Sequence, residues 1–566
     1  MTESLPAQLA APSSKERKYD RQLRLWAASG QQALESSRIL LVNSDGPLDS
    51  NNPAVSGVAG VETLKNLVLP GVGGFTIVDP AVVTESDLGV NFFVEEESLG
   101  KSRAEETCKF LLELNPDVEG DFSSKPILDL LQDASFLPRY KLIIVTAPIR
   151  RSTLRTICDT AQQLSIPVIY THSVGFYAAF SLQLPSIFPI VETHPSPESM
   201  QDLRLTNPWP ELAALADQVK DLDALDDLQH GHVPYVLLLL HYLQKWRDEH
   251  EGRYPENYKE KSAFRDLVRQ GARTNNPEGG EENFDEAVAA VLKSVSPWSL
   301  SSGVRDIFNM DQCLNLNAAS GNFWIIANAI KAFHAAHGVL PVPGSLPDMK
   351  AQSADYIRLQ NIYKSKARRD LAEVVATVRT TENQLRGPLV VSPIAEKEIE
   401  IFCKNAAHVK VLQGRSIPHI QPDAVHTLEA VRQSLENPES LVPIFIALQA
   451  LDALVTQYQE THPAAPSSSP PFLDDPNNWS RALSHIISLL ESYGQQLALD
   501  DTIRTRISNA LEEVKRAGGG ELHNISSLVG GLVAQEALKV LTRQYVALDN
   551  TFVFDGIGSV GEMFRL

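Results

Sequence analysis

One βαβ signature early in the chain constrains the fold more than any other stretch. Ile39–Val42 is an apolar run of the kind a strand buried on both faces requires, Val61–Leu69 carries apolar residues at helical spacing, and Phe75–Asp79 supplies a second strand. Gly57 and Gly60, between the first strand and the helix, permit close backbone turns. In such a unit the first N–H groups of the helix can hold a phosphate.

The loop that would do so is altered. A phosphate loop needs glycine where the backbone presses against the nucleotide, because a Cβ there occupies the space of a phosphate oxygen. Here Asn43 stands at the first glycine position and Val58 at the one after Gly57. Between them lies an extra segment, Ser44–Val55, rich in Asp, Asn, Pro and Ser, which reads as a surface excursion crowding or covering a nucleotide.

Further strands are expected at Leu142–Val145 and Val168–Tyr170, joined by a helix over Leu154–Leu164, so the sheet is mainly parallel. From about Leu182 to Leu511 the pattern turns helical, as at Tyr235–Trp246, Asn322–His334 and Asp355–Thr377. Two polar breaks interrupt it, Arg273–Asn283 and the Pro/Ser-rich His462–Asn478. An apolar helix, Leu528–Leu541, and a strand, Thr551–Phe554, follow the glycine run Gly518–Gly520.

A net charge of −20 over 566 residues argues against nucleic acid or an anionic membrane as the main partner and favours a protein. No apolar run of about 18 residues occurs, and the first residues lack a cleavable signal pattern, so a soluble protein of the cytoplasm, with the nucleus as a second location, is expected. Cys108, Cys158, Cys313 and Cys403 are scattered without C-x-x-C pairs, which predicts reduced thiols and no metal site. His194, His232 and His523 have no nucleophile or carboxylate set beside them by a motif, and the basic run Lys364, Lys366, Arg368, Arg369 reads as a solvated helix face.

The segments KYDRQLRLW (Lys18–Trp26), GVETLKNLVLPGVGGFTIVD (Gly60–Asp79), Asn91–Val118, PWPEL (Pro208–Leu212), Tyr258–Gly271, DIFNMDQC (Asp306–Cys313), LPDM (Leu346–Met349), Tyr356–Ala367 and Gly530–Gly556 occur in the order found in one family. Through them most of the chain resembles a half of a ubiquitin-activating-type enzyme, most closely the regulatory, noncatalytic subunits of neddylation activating enzymes. The resemblance implies an α/β fold: a Rossmann-like adenylation-type domain interrupted by a large, mostly helical insert. Its parts would be residues 1–181, an insert at 182–511 resembling a catalytic-cysteine domain without its nucleophile, and a returning segment at 512–566.

In the active halves of that family an Asp-x-Asp holds ribose, Arg and Lys neutralise triphosphate charge, and a later Asp places magnesium. This chain keeps Asp79 but has Ala81, Asp87, Val90, Asn91 and Arg103 at the other positions, and no Asp across Leu142–Ile149. The loop Asn43, Gly57, Val58, Gly60 and Asp79 would thus be vestigial. No cofactor is expected on this chain alone, with ATP and magnesium on a catalytic partner subunit.

Tyr19, Asp20, Arg21 and Gln22 reproduce the motif whose Arg crosses to the partner's ATP phosphates, a task suited to a permanently charged planar fork of donors. Without the resemblance, Arg21 and Arg24 are equally well surface ion pairs on an amphipathic helix. The four cysteines are expected to pack rather than accept a modifier. The resemblance also implies a partner interface at Leu340, Pro341, Val342, Pro343, Gly344, Leu346, Pro347, Asp348 and Met349, with a buried interdomain loop as the alternative.

The expected function is support, within a heterodimer, of adenylation and thioester formation of a ubiquitin-like modifier on the partner. A Rossmann-fold scaffold without enzyme partnership and a nicotinamide-dependent oxidoreductase are the competing readings.

Overall fold

The computed structural model describes residues 13–44, 57–196, 202–219, 221–274, 280–296, 298–387, 392–461, 475–493 and 499–566. Most of Ser44–Val55 and His462–Asn478, and part of Arg273–Asn283, lie outside them.

Among the described residues ten strands are formed: β1 (Arg38–Val42), β2 (Gly74–Val78), β3 (Glu119–Ser123), β4 (Leu142–Thr146), β5 (Val168–Val174), β6 (Tyr177–Gln183), β7 (Phe188–Val191), β8 (Val409–Leu412), β9 (Thr551–Asp555) and β10 (Val560–Phe564). Eight make one sheet in the order β10-β9-β6-β5-β4-β1-β2-β3. Its β3-β2-β1-β4-β5 portion is parallel, with Val42 opposite both Val78 and Val145, whereas β6, β9 and β10 are antiparallel additions. Leu40, Leu41, Ile143 and Ile144 are wholly buried, as central parallel strands covered on both faces demand. Strand order reverses between β1 and β4, and in such sheets ligands bind beyond the carboxyl ends at that point.

The chain divides into one unit of residues 1–188 with 412–566 and a second of 189–411. This differs from the insert expected at 182–511. β6 continues the sheet to Gln183, and the helices Val442–Thr461 and Asp501–Arg516 belong with the first unit. Their apolar residues, among them Phe445, Leu448, Ile507 and Leu511, form one core with Tyr177 and Ala179 of β6 and Val553 of β9. Helical periodicity marks which side of a helix is buried but does not say against what.

In the second unit, Leu212, Leu238, Phe264, Phe284, Val342, Met349 and Tyr363 share a core. The proline-rich track expected to form an interface therefore places much of its apolar content inside its own unit. Leu340, Pro341, Val342 and Met349 are buried, while Pro343, Gly344, Leu346 and Pro347 are partly exposed and Asp348 is exposed. The Val342 N–H donates to Asp370 Oδ2 at 3.0 Å, and the Arg204 guanidinium donates to the Leu340 carbonyl. Val342 and Met349 pack in the core of their own unit, neither as an exposed contact surface nor as the interdomain loop expected as the alternative.

The helix His523–Thr542 is long and apolar enough, by length and composition, to cross a membrane, although polar residues interrupt its apolar runs. Val529, Gly530, Val533 and Ala537 are buried, and Gly530 lies against Glu62 and Thr63 of the helix Val58–Val68. It is a core helix of the first unit.

Candidate functional site

Asn43 follows β1 and Asp79 follows β2, so both stand at the carboxyl edge of the sheet beside the reversal of strand order. Between them in sequence, Gly57 opens the helix Val58–Val68 in the left-handed conformation, with φ 60° and ψ 34°. A Cβ at Gly57 would overlap the Asn43 amide. The bulkier residue at the first glycine position is thus accommodated by the absence of a side chain at the second.

Asp79 is fully buried and completely engaged. Its carboxylate accepts Arg103 Nε at 2.7 Å and Nη2 at 3.2 Å, Asn43 Nδ2 at 3.0 Å and the Ala81 N–H at 3.0 Å. Arg103 Nη1 donates to Asp87 Oδ1 at 3.0 Å, and Asp87 Oδ2 accepts both the N–H and the hydroxyl of Thr84, at 2.8 and 2.9 Å. Burial works against the guanidinium charge, but the two carboxylates outweigh it and Arg103 is held above its ordinary value. Positions that read as losses of ribose and phosphate ligands therefore form a closed ion-pair cluster. A buried carboxylate without its ligand must find a cation, and Asp79 finds Arg103.

The helix N-terminus is filled as well. Glu521 Oε2 accepts the Ala59 N–H at 3.1 Å and the Ser526 hydroxyl at 2.8 Å, so a carboxylate occupies the seat that a phosphate takes in a nucleotide-binding βαβ unit. Burial raises this carboxyl to about 7, against the opposing pull of Ser526, the Ala59 and Val58 N–H groups and Arg103. No local motif announces Glu521, since it lies 462 positions from Ala59. The residues at this site do not fit a nucleoside triphosphate: the acid suited to ribose is spent on Arg103 and the phosphate seat holds a side chain.

Arg21 is arranged differently. It lies exposed on the first turns of the helix Asp20–Glu35, and its side chain makes no ion pair or hydrogen bond within the described residues. Its neighbours Asp20 and Arg24 pair with each other at 3.0 Å. Tyr19 anchors the segment, 3% exposed, its hydroxyl accepting Asn115 Nδ2 at 3.1 Å.

All four cysteines are buried. Desolvation pushes Cys108 up to about 11 and Cys158 and Cys403 to about 12, and raises Cys313, the reverse of what a nucleophilic thiolate needs. His232 Nδ1 contacts the Leu228 carbonyl at 2.8 Å within one turn, His523 Nδ1 contacts the Val90 carbonyl at 2.8 Å across 433 positions of sequence, and His194 meets the Thr193 hydroxyl at 2.8 Å. In the basic run, Arg369 pairs with Glu211 at 2.7 Å and Lys366 with Asp370.

A sequence model of the ThiF family matches residues 19–566. The NEDD8-activating enzyme E1 regulatory subunit of Xenopus laevis is 37% identical over 560 residues, 98% of this chain and 99% of that one. The chain belongs to this family. Within the ThiF proteins it falls among the NEDD8-activating enzyme E1 regulatory subunits, a group whose Arabidopsis thaliana member AXR1 is 32% identical over 97% of this chain and 96% of its own length. The corresponding subunit of Saccharomyces cerevisiae is 26% identical over 97% of this chain and all of its own. Among solved structures, Escherichia coli MccB with ATP covers 33% of this chain and 53% of its own at 17% identity and a TM-score of 0.26, too slight a likeness to add to the assignment.

Proposed function

We propose that this regulatory subunit is the noncatalytic half of a heterodimer whose partner binds ATP and magnesium, adenylates the C-terminal carboxylate of NEDD8 and accepts it as a thioester. The observation that carries this reading is the contrast between a nucleotide site closed by Arg103 and Glu521 and an exposed, unpaired Arg21. A chain that fills its own phosphate seat has no use for a phosphate-binding arginine in cis. Arg21 is then the group that reaches the partner's ATP phosphates, where its fixed charge and planar donors offset the charge developing during adenyl transfer.

Pyrophosphate exchange by the reconstituted heterodimer tests this. A charged hydrogen bond to phosphate contributes about 1.5–3 kcal/mol, so Arg21→Ala should slow exchange roughly 10- to 100-fold while the two subunits still coelute. Unchanged exchange at limiting ATP would return Arg21 to the status of a surface residue. Micromolar, magnesium-dependent ATP binding by this chain alone would overturn the assignment of the nucleotide to the partner.

A further inference from the structure

The helix Asp20–Glu35 is broken one turn past Arg21. Trp26 lies at φ −122°, ψ 16° and Ala27 at φ 56°, ψ −179°, a conformation that residues other than glycine rarely adopt. Such a break persists only where surrounding contacts hold it, and it frees carbonyls that would otherwise accept bonds within the helix. Two of the carbonyls at the break are taken up by one distant segment. Gln544 Nε2 donates to the Trp26 carbonyl at 3.1 Å, and the Tyr545 hydroxyl donates to the Leu25 carbonyl at 3.2 Å.

Gln544 is 7% exposed and reaches Ser29 Oγ at 3.3 Å, beyond the break. Trp26 is fixed by its own ring, whose Nε1 donates to Gln31 Oε1 at 3.1 Å and whose side chain packs on Gly30. The short segment carrying Arg21 is thereby gripped at both ends, by Tyr19 on Asn115 and by Leu25–Trp26 on Gln544 and Tyr545. Without the break, the segment would continue along the axis of the helix that follows, and Arg21 would point elsewhere.

We infer that Gln544 is a positioning residue for Arg21: by holding the Trp26 carbonyl it maintains the helix break that sets the direction in which Arg21 is presented to the partner subunit's nucleotide. This rests on the reading of Arg21 given above. Gln544 touches no substrate. It acts through the backbone, with Tyr545 as its accessory.

The test is a double-mutant cycle in the reconstituted heterodimer, read as kcat and KM for ATP in pyrophosphate exchange. Gln544→Ala should lower kcat/KM for ATP by about 3- to 10-fold, the scale of one neutral hydrogen bond expressed in the transition state, with subunit association unchanged. In the Arg21→Ala background the same change should have no further effect, which a merely structural loss would not reproduce. Gln544→Glu, isosteric but without the donor when ionised, and Tyr545→Phe should shift the same parameter in the same direction should the alanine variant not fold. If Arg21→Ala slows exchange while the folded Gln544 variants leave it unchanged, or reduce it equally with and without Arg21, the positioning role is overturned and the role of Arg21 stands. If Arg21→Ala itself has no effect, both fall.

Discussion

The carboxylate of Glu521 accepts the backbone N–H of Ala59 at 3.1 Å, across 462 positions of sequence. A nucleotide-binding βαβ unit leaves this donor to its ligand. Here the chain supplies the acceptor itself, from the segment that leads into the helix His523–Thr542, so the missing ligand costs the fold no unsatisfied N–H at that point.

Stability should consequently depend on pH through Glu521. Its folded value is raised to about 7 from an ordinary 4.5, so the folded chain retains a proton that the unfolded chain releases. The associated stabilisation is full below the unfolded value and is lost as pH rises through the folded one. Urea unfolding between about pH 5 and about pH 8 should show the wild type losing stability relative to Glu521→Gln, which is neutral throughout. A pH-independent difference would show that the carboxylate is ionised in its seat across that range.

Removing Arg103 should be among the most damaging single changes in the first unit. Arg103→Leu strands Asp79 and Asp87 in the interior, and breaking a buried pair from one side costs about 3–5 kcal/mol. Arg103→Lys keeps the charge but cannot satisfy both acids with a planar fork, so it should fall between the two. Chemical denaturation of the purified chain measures this, and a wild-type midpoint for the leucine variant would contradict the cluster.

The thiols should be silent in the native protein. An aromatic disulfide reagent is expected to titrate the four cysteines only after unfolding, because burial disfavours each thiolate. On nonreducing gels of the reconstituted reaction, the modifier adduct should migrate with the partner. A reducible adduct on this chain, abolished by replacing one cysteine in a variant that still folds, would refute the packing role.

Gly530 sets how closely two core helices approach. A Cβ there would lie 2.7 Å from Glu62 Cβ and 3.0 Å from the Glu62 carbonyl carbon and the Thr63 nitrogen. Two of these are backbone atoms that cannot rotate away, so Gly530→Ala should destabilise by about 1–3 kcal/mol through overpacking. Gly531 faces open space, and Gly531→Ala in the same helix should be neutral or mildly stabilising in thermal melts.

Much of the sheet was legible because central parallel strands announce themselves. Leu40, Leu41, Ile143 and Ile144 are apolar in unbroken runs since both faces are covered. β3 (EGDFS) and β10 (VGEMF) carry no such run: they are the two edges of the sheet and much of their surface is exposed. The site was legible by subtraction only. Asn43 and Ala81 stand out in the sequence as departures from a nucleotide-binding pattern, but Arg103 and Asp87 read as losses when they are each other's partners. Charge balance held the signal, since a retained Asp79 without a ligand calls for a cation nearby. Glu521 offered none, because nothing local relates it to a helix start so far away in sequence. The extent of the first unit failed for a similar reason: amphipathic helices such as Asp501–Arg516 do not advertise which surface they cover.

β9 pairs with β6 through partners such as Thr551 and Ser181, whose hydroxyls lie 2.9 Å apart and 370 positions apart in sequence. A ribosome adding 5–20 residues per second delivers that second partner roughly 20–75 s after the first. For that interval β6 has an open edge, a template for pairing with other chains. Newly made chains are therefore exposed to aggregation for longer than the domain size alone would suggest, and their yield should be sensitive to translation speed and to chaperones that shield strand edges.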